Sequence, residues 1–298
     1  MRHARLQRLG GVVPGGSELR NAPIRSARVH RARDGRTAEA RDVVAVEEPL
    51  EIQVVETREG REHAHSLSVT MRTPGNDFEL VAGFLFAEDV LQSPEDFWRI
   101  EYCVPEDAPQ EFNVVSVVLK ESVPLDLSHT LRSFYTTSAC GVCGKATLDA
   151  VRVRDSPPFP PNGPEVHAAQ LAAWPEALRR EQNLFDRTGG LHAAALFDGG
   201  TLVSLREDIG RHNAVDKVVG EQFLAGTLPL HDRALLVSGR ASFDILQKAV
   251  AAGIPLVAAV GAPSSLAVDL ANEFGLTLVG FLREDSFNIY AGRHRVVS

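Results

Sequence analysis

Three short apolar runs near the carboxyl end constrain this chain more than any other feature. They span residues 233–238 (RALLVS), 255–260 (PLVAAV) and 276–282 (LTLVGFL). Each has the length of a strand, and each lacks the polar alternation of a strand with one wet face. Between them, residues 241–252 and 264–274 carry helical patterns, the second with Ser264 or Ser265 placed to cap it. Strand, helix, strand, helix, strand predicts parallel pairing through right-handed crossovers, hence an α/β fold. Ligands in such sheets bind where the parallel strands end. Two turns fall there: Ser238, Gly239 and Arg240 after the first run, and Gly261 to Ser265 after the second. Glycine lets a ligand approach the backbone closely. Neither turn is a dinucleotide fingerprint or a P-loop, since GxGxxG and GxxxxGK[ST] are both absent. Past the third run, Arg283 is placed to address a phosphate bidentately. Phe281 and Tyr290 are candidates to stack on a base, with a place in the core as the plainer alternative.

Upstream, residues 42–58 and 65–72 read as strands, the first with a turn near Glu47 and Pro49. The turn Thr73-Pro74-Gly75-Asn76 then leads to Asp77, which is placed to cap a helix reaching about Leu91. Residues 98–104 and 112–120 predict two more strands. Residues 155–164 (DSPPFPPNGP) form a proline-rich connector, 165–183 a helix, 191–206 a hairpin turning at Asp198-Gly199-Gly200, and 208–225 an amphipathic helix. The expected division is a disordered basic extension over 1–35, a smaller N-terminal α+β subdomain over 36–130, a mobile CxxC loop segment over 131–154, and a C-terminal α/β subdomain over 155–298. A transit peptide is the alternative reading of the arginine-rich first 35 residues.

The net charge of −8 argues against a general nucleic-acid binder, which needs a basic surface. The longest uncharged run, between Lys248 and Asp269, is broken by Gly253, Pro255, Gly261 and Pro263, so no membrane span is expected. Cys103, Cys140 and Cys143 are the only cysteines. Three is odd and sparse, which argues against a secreted disulfide framework and fits a reducing, cytoplasmic setting better.

Two motifs carry chemistry outside the sheet turns. In TSACGVCGK, Cys140 and Cys143 are separated by two residues, a spacing that serves metal binding, disulfide exchange or sulfur relay. Gly141 and Gly144 leave the thiols little covered, and Lys145 favours a thiolate. Structural zinc needs four ligands and a second CxxC is missing, so no permanently bound metal is expected. Which of the two thiols matters more stays open on physical grounds, and an exposed pair without function is the plain alternative. The second motif, REDIGRHNAVDK, puts Arg206, Asp208, Arg211, His212 and Lys217 at the start of a helix. A helix N-terminus suits an anion. Asp208 as a simple cap and Arg211, His212 and Lys217 as a solvated face are the alternatives.

With these residues in hand, the chain resembles the formate dehydrogenase accessory sulfurtransferase family (FdhD/NarQ) over roughly residues 40–298. The motifs that carry the resemblance are MRTPGNDFELVAGFLF, TSACGVCGKATL, FDRTGGLHAAALF, REDIGRHNAVDKVVG, SGRASFDILQKA, GAPSSLAVDLA and GFLREDSFNIYAG. The resemblance implies a cytidine-deaminase-like three-layer core and a homodimer. It implies a sulfurtransferase that takes persulfide sulfur from a cysteine desulfurase onto Cys140, with Cys143 assisting. The sulfur would pass to a bound molybdenum (or tungsten) bis(guanine dinucleotide) cofactor that serves the formate dehydrogenase catalytic subunit. It places Phe281, Leu282, Arg283, Glu284, Asp285 and Ser286 in the cofactor site. Position and chemistry add Ser238, Gly239, Arg240, Arg211 and His212. A non-catalytic cofactor chaperone is the rival reading. Asp244 departs from the glutamate frequent in the family while keeping its charge. Ala139 precedes Cys140 and no His-x-Glu occurs, so the zinc-deaminase signature is missing and deamination is disfavoured.

Overall fold

The structure, a computed structural model, describes residues 21–104, 109–125, 158–160 and 163–298. The three apolar runs are strands β10 (Ala234–Val237), β11 (Leu256–Ala259) and β12 (Thr277–Gly280), paired in parallel as their pattern predicts. Helices α5 (Phe243–Ala251) and α6 (Ser265–Phe274) connect them. The sheet has six strands in the order β13-β12-β11-β10-β8-β9, where β8 is His192–Asp198, β9 is Thr201–Asp208 and β13 is Asn288–Ala291. Strand β8 runs antiparallel to β10, so it begins where β10 ends.

Helices cover both faces, giving three layers. Alternation along the strands sorts the apolar side chains. Ala194, Leu196, Leu235, Val237, Val257, Ala259 and Leu278 join one core with α5, α6 and α4 (Arg211–Leu224). Ala195, Phe197, Leu236, Leu256, Ala258 and Val279 face α2 (Ala168–Glu181), where Trp174 stacks on Phe197 at 4.4 Å. A short helix α3 (Asn183–Thr188) follows α2, and β7 (Val166–His167) pairs with the terminal β14 (Val296–Val297). Burying one such large apolar side chain stabilises the fold by about 1.5–3 kcal/mol.

The N-terminal part is a four-stranded sheet in the order β4-β3-β6-β5: β3 (Glu48–Arg58), β4 (Arg61–Arg72), β5 (Phe97–Tyr102) and β6 (Val114–Leu119). One face packs on α1 (Asp77–Ala87). Asn76, not Asp77, is the N-cap of α1, and it sits in the left-handed region at φ 58°. Asp77 is fully buried inside the first turn, where its Oδ2 accepts hydrogen bonds from Arg72 and from Tyr102. Helix α1 also ends near Ala87, short of Leu91. The two expected subdomains share one core, because Leu50, Ile52, Val54, Val115 and Val117 join the cluster that holds α4, α5 and α6.

The reading of the first residues also changes. Residues 24–35 are not disordered, since β1 (Ile24–Arg33) pairs with β2 (Arg36–Ala45) through ten registered residues. The reason is the turn Asp34–Gly35, with both φ values positive at 52° and 72°, as a two-residue hairpin turn needs. Glu59 and Gly60 do the same between β3 and β4. Among the described residues, no helix is long and apolar enough to cross a membrane.

Candidate functional site

The carboxyl ends of β10, β11 and β12 are knitted together by backbone hydrogen bonds. Gly261 N–H donates to Gly239 O at 2.8 Å and Phe281 N–H to Gly261 O at 3.0 Å. Ala241 N–H donates to Ala262 O, and Ser264 N–H returns to Ala241 O. A Cβ on Gly261 would lie 2.8 Å from Gly239 O, so only glycine allows these loops to touch backbone to backbone. His192 opens β8 at the same edge and pairs with Asp208, which closes β9. Helix α4 starts three residues later at Arg211. The topology thus brings His192, Arg211, Gly239, Arg240 and Phe281 to one rim of the sheet. Gly239 abuts both His192 and Arg211.

A cleft of about 650 Å³ opens beside this rim. The rim side supplies His192, Ser238, Val260 and Glu284, α2 supplies Pro175, Glu176, Leu178 and Arg179, Gln182 lies between the two helices, and α3 supplies Phe185. A second hollow shares Pro175, Val260 and Glu284 and continues along Leu282, Arg283 and Asp285. Ser238 Oγ accepts a hydrogen bond from Ala193 N–H at 2.9 Å, which leaves its own proton to donate. Arg240 is exposed and makes no hydrogen bond or ion pair among the described residues. Arg211 and Arg240 place two positive charges near His192, against the one negative charge of Asp208. Burial, then the charge of Arg211, pushes the His192 imidazole below its ordinary range.

His212 feels the same field more strongly. Burial first, then Arg211 and Lys248, push it down to about 3. Asp244 Oδ2 stands 3.6 Å from Nε2 and does not outweigh them, so His212 is neutral at ordinary pH. Behind it, burial pushes Asp216 up to about 6 although Lys248 Nζ lies 2.6 Å away. Burial alone would depress Lys248, but Asp216 and Glu88 hold it raised, so above about pH 6 the two form a buried ion pair.

These shifts set opposite pH slopes. A histidine depressed on folding contributes stability that is complete above about pH 6.5 and is lost as pH falls toward 3, because the unfolded chain takes up a proton that the folded chain refuses. Asp216, raised on folding, favours the folded state at low pH, and its contribution fades between about pH 4 and 6. Comparing wild type with His212→Gln isolates the first effect. The gap in unfolding free energy between them should shrink by about 1.4 kcal/mol per pH unit between pH 6 and 4. Urea unfolding across that range measures it, and a gap independent of pH would show His212 to be protonated in the fold.

The REDIGRHNAVDK block is two devices, not one. Lys217 is fully buried, against its reading as a solvated face. Its Nζ lies 2.7 Å from Asp208 Oδ2 and donates to Thr73 O at 2.9 Å and Glu207 O at 3.3 Å. Asp208 Oδ1 accepts from Gly210 N–H and Asn213 Nδ2, and Oδ2 from Thr73 N–H. Glu207 accepts the first N–H groups of α3, from Leu184 and Phe185. Arg206 is clamped between Glu79 of α1 and Glu221 of α4. Only Arg211 and His212 belong to the rim.

The profile of the FdhD/NarQ family matches residues 45–297. The chain belongs to that family. Sulfur carrier protein FdhD of Streptomyces avermitilis is 52% identical over 278 residues, 90% of this chain and 94% of that protein. Its namesake in Mycobacterium tuberculosis is 53% identical over 264 residues, covering 86% and 92%. A crystal structure from Desulfotalea psychrophila, provisionally assigned as a formate dehydrogenase accessory protein, aligns with TM-score 0.68 over 92% of this chain and 99% of that chain. At 24% identity it speaks for the fold alone.

In this FdhD/NarQ member the sequence-derived candidates divide clearly. Ser238, Gly239, Arg240, Arg211, His212, Phe281, Arg283, Glu284, Asp285 and Ser286 share the rim. Leu282 is a core residue with 0% exposure. Arg283 is partly committed, because its Nη1 donates to Val260 O at 2.7 Å and Leu282 O at 2.8 Å. Phe281 holds a left-handed φ of 52° while 44% exposed, a strained place for an aromatic, with its N–H donating to Gly261 O. Cys140 and Cys143 lie outside the described residues. Sequence reasoning missed His192, Gln182 and Phe185. His192 was legible within FDRTGGLHAAALF, because the antiparallel return of the hairpin sends its start to the ligand edge.

The donors at the rim suit an anionic nucleotide. Among the described residues Arg240 is a cation without a polar partner, Ser238 Oγ–H a neutral donor, Phe281 an exposed ring, and Pro175, Leu178 and Phe185 an apolar wall. A guanine dinucleotide cofactor offers phosphates, hydroxyls and flat bases to match.

Proposed function

We propose that the chain carries sulfur from a cysteine desulfurase to the molybdenum (or tungsten) bis(guanine dinucleotide) cofactor required by formate dehydrogenase, as a cytoplasmic homodimer with a cytidine-deaminase-like core. The observation that carries this reading is the rim that gathers Arg211, Arg240 and Ser238 beside an open cleft, in a chain about half identical to proteins named as sulfur carriers. The Cys140 thiolate attacks the outer sulfur of the donor persulfide. One S–S bond breaks, one forms, the donor leaves as a thiolate, and Cys140 becomes a persulfide. Cys143 assists release. The cofactor is the acceptor of that sulfur, held as substrate: Arg240 and Arg211 answer its phosphates, Ser238 donates a hydrogen bond, and Phe281 offers a face for a base. His192 and His212 stay neutral beside them and add no repulsion to either charge.

Incubation with a cysteine desulfurase and cysteine, followed by peptide mass spectrometry, tests the proposal. The peptide bearing Cys140 should gain the mass of one sulfur atom, and Cys140→Ala should abolish both the gain and the activation of formate dehydrogenase. A variant that still activates the dehydrogenase fully would make the protein a cofactor chaperone instead.

A further inference from the structure

Among the described residues, the hairpin of β1 and β2 projects from its chain with little cover. Ten residues per strand give it a reach of about 33 Å. Every residue from His30 to Glu39 is exposed. Its main contact with another element is with α3, reached from β2. A two-stranded ribbon without cover is marginal in water. This one also repels itself. Arg28 stands directly opposite Arg41 on one face, and Arg33 directly opposite Arg36 on the other. Like charges in that relation destabilise a strand pair. Among the described residues none of these four arginines makes a hydrogen bond or ion pair, whereas Arg31 lies 3.7 Å from Asp42 and His30 lies 4.0 Å from Glu39.

We infer that the ribbon is an arm that docks on the acidic body of a second copy of this chain. The charge balance selects that occupant. Residues 24–45 hold six arginines against three acidic residues, within a chain of net charge −8. The body that carries the arm is therefore strongly acidic. A nucleic acid or an anionic membrane would meet the arm's cations and be repelled by the body behind them. A second copy offers the complementary surface, and two-fold symmetry lets each arm neutralise the other's body at once. The face bearing Arg33 and Arg36 also presents Ala27, Val29, Ala40 and Val44, all only partly covered, as an apolar seam between the charges. The inference rests on the homodimer within the proposed function and assigns that association to the ribbon.

Light scattering on the full chain at micromolar concentration and low salt tests it. Wild type should weigh twice 32.3 kDa. Arg28→Glu with Arg41→Glu should weaken self-association by at least about tenfold and shift the mass toward one chain. Both positions are exposed, so the variant keeps its fold, and an unchanged circular dichroism spectrum and thermal midpoint check this. High salt should weaken the wild-type association too. A variant that stays at double mass would overturn the role of the arm and leave the homodimer standing. A wild type at single mass would overturn both. Single-mass wild type retained on heparin through these arginines would give the arm to a polyanion instead.

Discussion

Replacing Gly220 by alanine should cost more than about 3 kcal/mol of stability, where an alanine in an ordinary helix interior would add about 0.5–1 kcal/mol. Helices α1 and α4 cross with their backbones in contact. A Cβ on Gly220 would lie 1.8 Å from Glu79 O and 2.7 Å from Gly83 N, and one on Gly83 would lie 2.0 Å from Asp216 O. The atoms in the way are backbone, so no rotamer change relieves the clash. The helices must part, and the parting is transmitted. Arg206 holds Glu79 and Glu221 across the same crossing, and Val218, Val219 and Phe223 of α4 share one core with Leu80, Val81 and Leu85 of α1. The N-terminal sheet rides on α1, so separating the helices loosens its grip on the C-terminal sheet. Urea unfolding of Gly220→Ala and Gly83→Ala measures the effect. A stability equal to or above that of wild type would mean the helices are not in backbone contact.

That crossing marks the limit of what the sequence disclosed. The parallel strands were legible because they are buried on both faces and therefore almost purely apolar, and the turns after them follow from topology. Ser238, Gly239, Arg240 and Arg283 accordingly fall at the carboxyl edge of the sheet by sequence pattern alone. The Gly83–Gly220 contact was not legible, because a glycine within a helical pattern reads equally as a weak point or as a packing notch until its partner is known. Asp208 and Lys217 were ambiguous for a related reason. Charged residues at a helix start look alike whether they face water or one another, and burial alone separates the two. The first hairpin was missed although Asp34 and Gly35 stand between alternating residues, because the density of arginine outweighed the turn signal. Its strands have little core to fill, so their composition carries the mark of a partner surface more than of a sheet.

Lys217→Met should cost about 3–5 kcal/mol, although methionine fits the same space and is the more apolar residue. The loss comes from what the ammonium leaves behind. Asp208 has no exposed surface, and its carboxyl group would be left in a buried site without its cation. The carbonyls of Thr73 and Glu207 would each lose a donor as well. Removing both charges in Asp208→Asn with Lys217→Met should cost less than the two single losses added together, because the double variant leaves no unpaired charge buried, while the new amide NH2 facing Thr73 N–H keeps the recovery partial. A double-mutant cycle by urea unfolding yields the coupling, and simple additivity of the two single losses would refute the pair as one unit. The consequence reaches the site. Asp208 Oδ1 fixes Gly210 N–H and Asn213, the turn from which α4 launches Arg211 toward the rim, while Thr73 ties that turn to the N-terminal sheet. In Lys217→Met the rim should lose its alignment before the fold is lost. Binding of a guanine nucleotide, followed by calorimetry at temperatures where the variant is still folded, should weaken in the single variant and recover in the double. The buried pair then acts as a positioning element: it holds the cation where the phosphate is expected, without touching the ligand itself.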